Sequence, residues 1–219
     1  MLKENETDLL FQKNKKYRKC LTVAVTGFAR SGKNSLCSLM ETVCKEKSLK
    51  VKTFSFAYAL KKDLDSFCRE HFNISSFSEK EEKSIIRPIL IAYGESKRKI
   101  TEGTYWWKKV MSDINDFYDS GGNIALVSDL RFKEFEHDEI DFIKSYANSL
   151  TFCVQRILSN GQLLQPAHDS ESRNSTRLID CSDAVVRWNT AGNNVSAMKH
   201  QSENALRLLE DSIQKIFPE

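Results

Sequence analysis

The sequence Gly27-Phe28-Ala29-Arg30-Ser31-Gly32-Lys33-Asn34-Ser35 lies between an apolar, β-branched run at 21–25 and a segment with helical spacing at 36–40. Strand, glycine loop and helix in this order are the context that a phosphate-binding loop requires. The two glycines let the backbone curl so that N–H groups point at a polyphosphate, and Lys33 can reach the terminal phosphates. We therefore predict a phosphate-binding loop, although Asn34 stands where the usual pattern has a hydroxyl.

The composition fits one α/β domain. The chain has 219 residues, which is enough for a single domain with an inserted lid. Its net charge of +3 does not indicate a nucleic-acid partner. No apolar run approaches the about 18 residues that a bilayer span needs, so no membrane partner is expected. Six cysteines without a C-x-x-C pair favour reduced thiols in the cytoplasm.

The first 19 residues are polar and charged, unlike the apolar core of a signal peptide. The basic run at 13–19 is compatible with a localisation signal or a patch that binds polyanions. We expect instead a solvated leader at 1–19, followed by a single domain at 20–219.

Strand and helix patterns alternate along the rest of the chain. Apolar and alternating runs predict strands at 51–56, 123–129, 150–157 and 183–189. Helical spacing predicts helices at 33–47, 57–72, 104–118, 132–146 and 196–217. A helix start at 78–81 meets Pro88, which predicts either a kink or a new helix beginning. The alternation predicts a doubly wound parallel sheet flanked by helices, with the ligand at the carboxyl ends of the strands.

Polar residues mark that predicted edge of the sheet. Asp129 closes a buried apolar strand, and in phosphate-loop enzymes such a carboxylate orients magnesium or its water shell. Arg131 is placed to face phosphates or to pair with Asp129. Lys61 follows the second strand, where a solvated lysine is the plain alternative. The pair Trp106 and Trp107 is more typical of a core than of a ligand platform.

Several motifs occur in the order found in one enzyme family. They are Arg30-Ser31-Gly32-Lys33, Phe56-Ala57-Tyr58-Ala59-Leu60-Lys61, Arg87 with Gly94 and Trp107, Ser128-Asp129-Leu130-Arg131-Phe132, and His168-Asp169-Ser170-Glu171. Over residues 20–215 the chain resembles the deoxynucleoside monophosphate kinases of bacteriophages. The animal-type phosphomevalonate kinases share Gly94-Glu95-Ser96-Lys97-Arg98 and the Ser-Asp-x-Arg motif, but Phe132 and the segment 168–171 favour the nucleotide kinases.

The resemblance implies a phosphate-loop kinase that transfers the γ-phosphoryl group of ATP, with Mg²⁺, to a deoxynucleoside monophosphate. It places the enzyme in the cytoplasm, that of the host if the chain is viral, and leaves a homodimer open. It also divides the domain into an acceptor-binding helical segment at 57–118 and a lid at 158–178, where a long polar segment is typical of a closing loop.

The resemblance also implies roles for individual residues. The donor phosphates would contact Gly27, Arg30, Ser31, Gly32, Lys33, Asn34 and Ser35. The acceptor would contact Lys61, Arg87, Gly94, Arg98, Trp107 and Arg131. Arg173 and Arg177 would belong to the lid, and Asn34 with Asp129 would hold the metal. The transfer itself would depend on Lys33, Asp129, Arg131 and Arg87.

The chain departs from the family at a few positions that bear on substrate choice and rate. Asn34 and Ser35 replace the usual Asp and Thr, Pro88 and Ile91 alter the acceptor side, and Phe135 replaces an acid. A degenerate kinase, which holds a nucleotide or a partner without phosphoryl transfer, is the alternative from another functional class.

Overall fold

The computed structural model describes residues 2–166, 169–189 and 195–218. Its five strands are β1 (Leu21–Thr26), β2 (Val51–Phe54), β3 (Ile124–Leu130), β4 (Ser149–Ile157) and β5 (Ala184–Asn189). They form one sheet in the order β2-β3-β1-β4-β5, and every neighbouring pair is parallel. All residues of β1 and β3 are buried, as expected for parallel strands that are covered on both faces.

Helices cover both faces of the sheet. They are α1 (Leu2–Asn14), α2 (Lys33–Glu46), α3 (Phe56–Phe72), α4 (Lys80–Ile100), α5 (Thr104–Asp119), α6 (Glu139–Ser145), α7 (Asp169–Asp180), α8 (Val195–Gln201) and α9 (Glu203–Ile216). Within β1, Val23 and Val25 join the core beneath α2 and α9, whereas Ala24 joins the core beneath α5 and α6. This alternation is the period of two that a strand imposes. The predicted α/β class with a parallel sheet flanked by helices is confirmed.

None of the helices in the described ranges combines the length and the apolar character needed to cross a bilayer.

The expected solvated leader is wrong for the residues that precede β1. The segment forms α1 and a turn, in which Thr7, Asn14 and Tyr17 are buried. The Asn14 side chain donates to Ser145 Oγ at 2.7 Å. Phe11 and Tyr17 also pack on the core aromatic rings of Trp107 and Tyr118, with ring centres 5.3 and 5.1 Å apart.

The expected helix at 132–146 begins only at Glu139. Residues 131–138 form a loop, because Asp138 caps α6 and its carboxylate accepts the N–H groups of Glu134, Phe135 and Glu139. Local capping therefore replaces the first two turns of the predicted helix. We call residues 131–138 the β3–α6 loop.

Three further expectations are refined. The second half of the predicted lid at 158–178 forms α7 rather than a loop. The closing helix is two helices, α8 and α9, separated at Ser202. Helix α4 runs continuously through Pro88, and Pro88 and Ser84, the residue four before it, both lie on the exposed side. Water can therefore bind the Ser84 carbonyl that proline leaves without a donor.

Candidate active site

The loop at 27–32 lies where the strand order reverses direction. From β1 the chain passes through α2 to β2 on one side of the sheet, whereas β4, on the other side of β1, leads to β5 further out. In open α/β sheets, ligands bind in the crevice outside the carboxyl ends of the strands at this point. The topology thus places the predicted phosphate-binding loop at the expected ligand position.

The loop has a shape that requires both of its glycines. Gly27 and Gly32 have φ angles of 137° and 101°, in the region that favours glycine. A Cβ atom on Gly27 would lie 2.3 Å from the Val154 carbonyl oxygen, and one on Gly32 would lie 2.5 Å from the Trp188 ring. The Trp188 indole N–H donates to the Ser31 carbonyl at 2.6 Å. Close contact with β4 and β5 therefore fixes the loop.

Lys33 begins α2 and folds back over the loop. Its Nζ donates to the carbonyl oxygens of Gly27 and Phe28 at 2.7 and 2.9 Å. No side chain of the described residues caps the start of α2. Asn34 and Ser35, which follow, are exposed. The first-turn N–H groups and the ammonium group therefore converge on one side of the loop, an arrangement that suits a phosphate.

Asp129 has a role that the sequence did not predict. Its Oδ1 accepts the Phe56 N–H, and its Oδ2 accepts the Ala57 N–H and the Ser55 hydroxyl, each at 2.8 Å. Ser55 in turn accepts the Tyr58 N–H at 3.1 Å. The carboxylate therefore caps the N-terminus of α3, where its negative charge is favourable.

The described contacts do not bring the two predicted metal ligands, Asn34 and Asp129, together. Three donors already occupy the Asp129 carboxylate, while Asn34 is an exposed amide at the start of α2. Within the described ranges, no group of three His, Cys, Asp or Glu side chains lies close enough to hold a metal ion. The described side chains therefore do not fit a metal ion held by the protein alone.

Arg131 lies beside the predicted phosphate-binding loop. It is exposed, and it lines a small cavity with Gly27, Phe28, Gln155 and Leu178. Its backbone N–H donates to Glu139 Oε2 at 2.9 Å, and this bond fixes the backbone position of Arg131. Among the residues predicted to bind the acceptor, Arg131 therefore shares a cavity with the loop at 27–32.

Arg98 is buried, and this corrects its predicted role as a phosphate ligand. It is 4% exposed, and its two Nη atoms donate to the two carboxylate oxygens of Asp138 at 2.9 and 3.0 Å. Its guanidinium lies 3.6 Å from the centre of the Phe132 ring and 3.3 Å from Glu134. Arg98 therefore holds the β3–α6 loop, which carries Arg131, and has no face left for substrate.

The pKa values of two acids beside Arg98 are shifted in opposite directions. Burial alone would raise the pKa of Asp138, but the Arg98 hydrogen bonds and charge, with backbone N–H groups, hold it below its usual range. Burial raises the pKa of Glu139 to about 8, although Arg98 opposes this, and the charge of Asp138 adds to it. One buried arginine is thus neutralised mainly by Asp138, and Glu139 keeps its proton at neutral pH.

Two other residues predicted to bind the acceptor, Trp107 and Gly94, take part in packing inside the protein. Trp107 is fully buried, stacks on Phe142 with ring centres 5.7 Å apart, and donates to the His137 carbonyl at 3.0 Å. This corrects the implied contact of Trp107 with the acceptor and agrees with the core role that is typical of paired tryptophans. A Cβ atom on Gly94 would lie 2.6 Å from Leu60 Cδ1, so this glycine permits close packing of α4 on α3.

The two remaining cations that were predicted to bind the acceptor, Lys61 and Arg87, differ in their exposure. Lys61 is partly buried, with its Nζ 5.7 Å from the centre of the Phe77 ring. Arg87 is on the exposed side of α4, where it lines an open groove with Lys80, Lys83 and Ile91. The described contacts do not bring Arg87 into the cavity that contains Arg131.

The lid segment is attached to the β3–α6 loop through a residue that the sequence did not indicate. Asn174 of α7 is buried; it donates to Glu134 Oε1 and accepts the Lys133 N–H, both at 2.9 Å. Arg177 is exposed and donates to the Lys133 carbonyl at 3.0 Å. His168 and the Arg173 side chain lie outside the described residues.

The thiols near the loop are not nucleophiles. Burial raises the pKa of Cys37 to about 12 and that of Cys153 to about 11, so both stay protonated at neutral pH. The chemistry that the site can support is therefore charge neutralisation and positioning by Lys33, Arg131 and backbone N–H groups.

Some of the missed residues had a local signal. Ser55 directly precedes the helical pattern of α3, as an N-cap residue does, and Asp138 precedes Asp141 by the three residues of a capping box. Asn174 had none, because its partners Lys133 and Glu134 come from a distant part of the chain.

No protein-family model matches the chain, and no curated protein is significantly similar to it in sequence.

Proposed function

We propose that this chain transfers the γ-phosphoryl group of ATP to the phosphate of a deoxynucleoside monophosphate. One contrast supports the proposal above all. Helices α2 and α3 both begin at the carboxyl edge of the sheet, but the carboxylate of Asp129 caps α3, whereas no described side chain caps α2. An anion supplied from outside, such as a polyphosphate, fits the uncapped helix.

The donor is ATP, and a magnesium ion would reach the site bound to the nucleotide, where it would neutralise phosphate charge. Gly27 and Gly32 shape the loop around the β- and γ-phosphates. Lys33 exchanges its bonds to the Gly27 and Phe28 carbonyls for phosphate oxygens. This exchange places a positive charge against the leaving group without moving the backbone.

The acceptor phosphate lies beside Arg131. An acceptor oxygen attacks the γ-phosphorus, the bond to the β–γ bridging oxygen breaks, and ADP leaves. The planar guanidinium forms paired hydrogen bonds with phosphate oxygens and neutralises charge during the transfer. Helix α7, attached through Asn174, covers this side of the site and limits hydrolysis by water.

A second candidate function is nucleotide binding without transfer. Two observations favour it: the Asp129 carboxylate is occupied by α3, and Asn34 supplies an amide where an acid is usual in the similar family. A protein of this kind would bind ATP but turn over no acceptor.

An acceptor screen tests the proposal. We would measure ADP release from ATP with each of the four deoxynucleoside monophosphates and with mevalonate 5-phosphate. Turnover of a deoxynucleotide supports the proposal, turnover of mevalonate 5-phosphate alone contradicts its substrate class, and ATP binding without turnover supports the second candidate.

The matched variants are Lys33→Ala and Lys47→Ala, at opposite ends of α2. Lys47 is exposed at the C-terminal end of the helix. We expect Lys33→Ala to abolish turnover and Lys47→Ala to retain it, with both proteins folded. Full activity of Lys33→Ala would refute the role of the loop.

A further inference from the structure

Two aromatic side chains are exposed side by side near the candidate site. Tyr58 and Phe77 are 56% and 37% exposed, and their ring centres lie 5.4 Å apart. Tyr58 is in the first turn of α3, and Phe77 comes from the connection to α4. We call these two residues the aromatic pair. The two ring planes are inclined by 52° to each other, so a flat ligand can stack on one ring and touch the edge of the other.

A short chain of hydrogen bonds connects the aromatic pair to the carboxyl edge of the sheet. The Tyr58 N–H donates to Ser55 Oγ at 3.1 Å, and Ser55 Oγ donates to Asp129 Oδ2 at 2.8 Å. Asp129 stands two residues before Arg131 in β3 and the loop that follows. The aromatic pair is therefore anchored to the strand end from which Arg131 departs.

The connection that carries Phe77 is also fixed. Ser76 Oγ donates to the Lys61 carbonyl at 2.7 Å, and the Ser76 N–H donates to Asp65 Oδ1 at 2.9 Å. The Asp65 carboxyl also accepts the Ser75 hydroxyl at 2.6 Å. These bonds hold the segment against α3, so the position of the Phe77 ring does not depend on a ligand.

A cation accompanies the aromatic pair. Lys61 lies one turn after Tyr58 on α3, and its Nζ is 5.7 Å from the centre of the Phe77 ring. A ligand that matches this surface has a flat, weakly polar part and an anionic part. A nucleotide has both, whereas a phosphorylated aliphatic acid lacks the flat part.

We infer that the aromatic pair binds the nucleobase of the acceptor, so that the acceptor is a nucleoside monophosphate and not a phosphorylated aliphatic compound. The inference rests on the proposed function and gives the base a site in place of the buried Trp107. The base packs against the rings of Tyr58 and Phe77, and its phosphate extends toward Arg131.

Helix α3 also contains a natural control. Phe67 and Phe72 form a second exposed pair, with ring centres 5.9 Å apart. Phe72 lies about 21 Å from Tyr58 along the helix axis, given a rise of about 1.5 Å per residue. This second pair is accompanied by His71 instead of a lysine. Because it lies far from the loop, it has no expected contact with the acceptor.

Calorimetric titration of the full chain with each of the four deoxynucleoside monophosphates, without ATP, tests the inference. Loss of one stacking surface weakens binding of a base by at least about fivefold. We therefore expect Tyr58→Ala and Phe77→Ala to weaken the binding of the preferred nucleotide by this factor or more. Tyr58→Phe should bind like the wild type, and so should Phe72→Ala.

A ligand without a base separates stacking from phosphate contacts. Binding of 2-deoxyribose 5-phosphate should be the same in the wild type and in Tyr58→Ala. Wild-type affinity for nucleotides in both Tyr58→Ala and Phe77→Ala overturns the inference, as does a wild-type protein that binds none of the four nucleotides.

Failure of the proposed function has a different signature. A protein that binds nucleotides through the aromatic pair, yet releases no ADP in the acceptor screen, supports the inference and refutes the phosphoryl transfer. Circular dichroism of each variant confirms that a loss of binding is not a loss of fold.

Discussion

Arg98 meets Asp138 face to face inside the protein, with Nη1 and Nη2 donating to the two carboxylate oxygens at 2.9 and 3.0 Å. A guanidinium that is used in this way cannot also bind a substrate phosphate. The pair connects α4 to the β3–α6 loop, and Glu134 extends the connection to Asn174 of α7. Three elements around the site therefore depend on one buried ion pair.

Replacement of Arg98 should destabilise the fold. Arg98→Ala leaves Asp138 as a buried charge without its partner, which costs about 3–5 kcal/mol of unfolding free energy. Arg98→Lys should recover little of this, because an ammonium group cannot form the paired bonds. Urea denaturation measures both effects. The control is Arg69→Ala, which breaks an exposed ion pair with Asp65 and should cost about 0.5 kcal/mol or less. A stable Arg98→Ala protein that only loses acceptor affinity would restore the role predicted from the sequence.

The carboxyl of Glu139 should make stability depend on pH. Its pKa is about 8 in the folded protein, against an ordinary value of 4.5. Between these two values the folded state binds more protons than the unfolded state, so the free energy of unfolding falls as the pH rises. The fall is at most about 1.4 kcal/mol per pH unit. Glu139→Gln keeps the shape of the side chain and removes the titration.

Thermal unfolding from pH 5 to pH 9 checks this. We expect the stability of Glu139→Gln relative to the wild type to increase as the pH rises to about 8, the pKa of Glu139 in the folded protein, and then to level off. Titration of Asp138 does not interfere, because its pKa is lowered from 3.8 and its contribution is lost only at lower pH. Parallel curves for the two proteins would show that Glu139 is ionised in the folded state across the window.

Asp129 should behave as a helix cap. Asp129→Ala removes an acceptor for three donors at the start of α3 and should lower the unfolding free energy by about 2 kcal/mol. Asp129→Asn should also be destabilised, because its NH₂ group faces backbone donors. Denaturant unfolding, together with the Mg²⁺ dependence of turnover, separates the two roles. Unchanged stability with a raised Mg²⁺ requirement would identify Asp129 as a metal ligand instead.

Arg131 should matter for rate and not for stability. Its side chain is exposed beside the loop, so Arg131→Ala should change the unfolding free energy by no more than about 0.5 kcal/mol. Loss of a donor that neutralises charge in the transfer should lower kcat by about a hundredfold. Arg207→Ala, at an exposed position of α9, is the matched control and should retain full kcat. Wild-type kcat in Arg131→Ala would exclude Arg131 from the transfer.

The sheet and the backbone shape of the loop at 27–32 were predictable because their signals are local. The run at 21–25 is apolar on both faces, and the run at 124–127 is too, which is the pattern of a central parallel strand. The glycine spacing before Lys33 specifies a backbone shape that few other sequences need. These features depend on neighbours in the sequence and not on distant partners.

The roles of individual side chains were less predictable, because they depend on partners far along the chain. Arg98 and Trp107 have types that suit phosphate and base binding, yet each found a partner about 30 to 40 positions away, in Asp138 and in Phe142 and His137. Asp129 was expected at the strand end, and it is there. Its carboxylate caps the N-terminus of α3, and no spacing in the sequence predicts that this helix begins beside Asp129.

Trp188 lies beneath the loop at 27–32, with its indole N–H bonded to the Ser31 carbonyl and its ring against Gly32. An indole responds to changes in its immediate surroundings through its emission. The chain therefore contains an optical reporter at the point where the donor is expected to bind. With Trp106 and Trp107 replaced by phenylalanine, occupancy of the loop becomes visible as a change in the fluorescence of one residue, without a label.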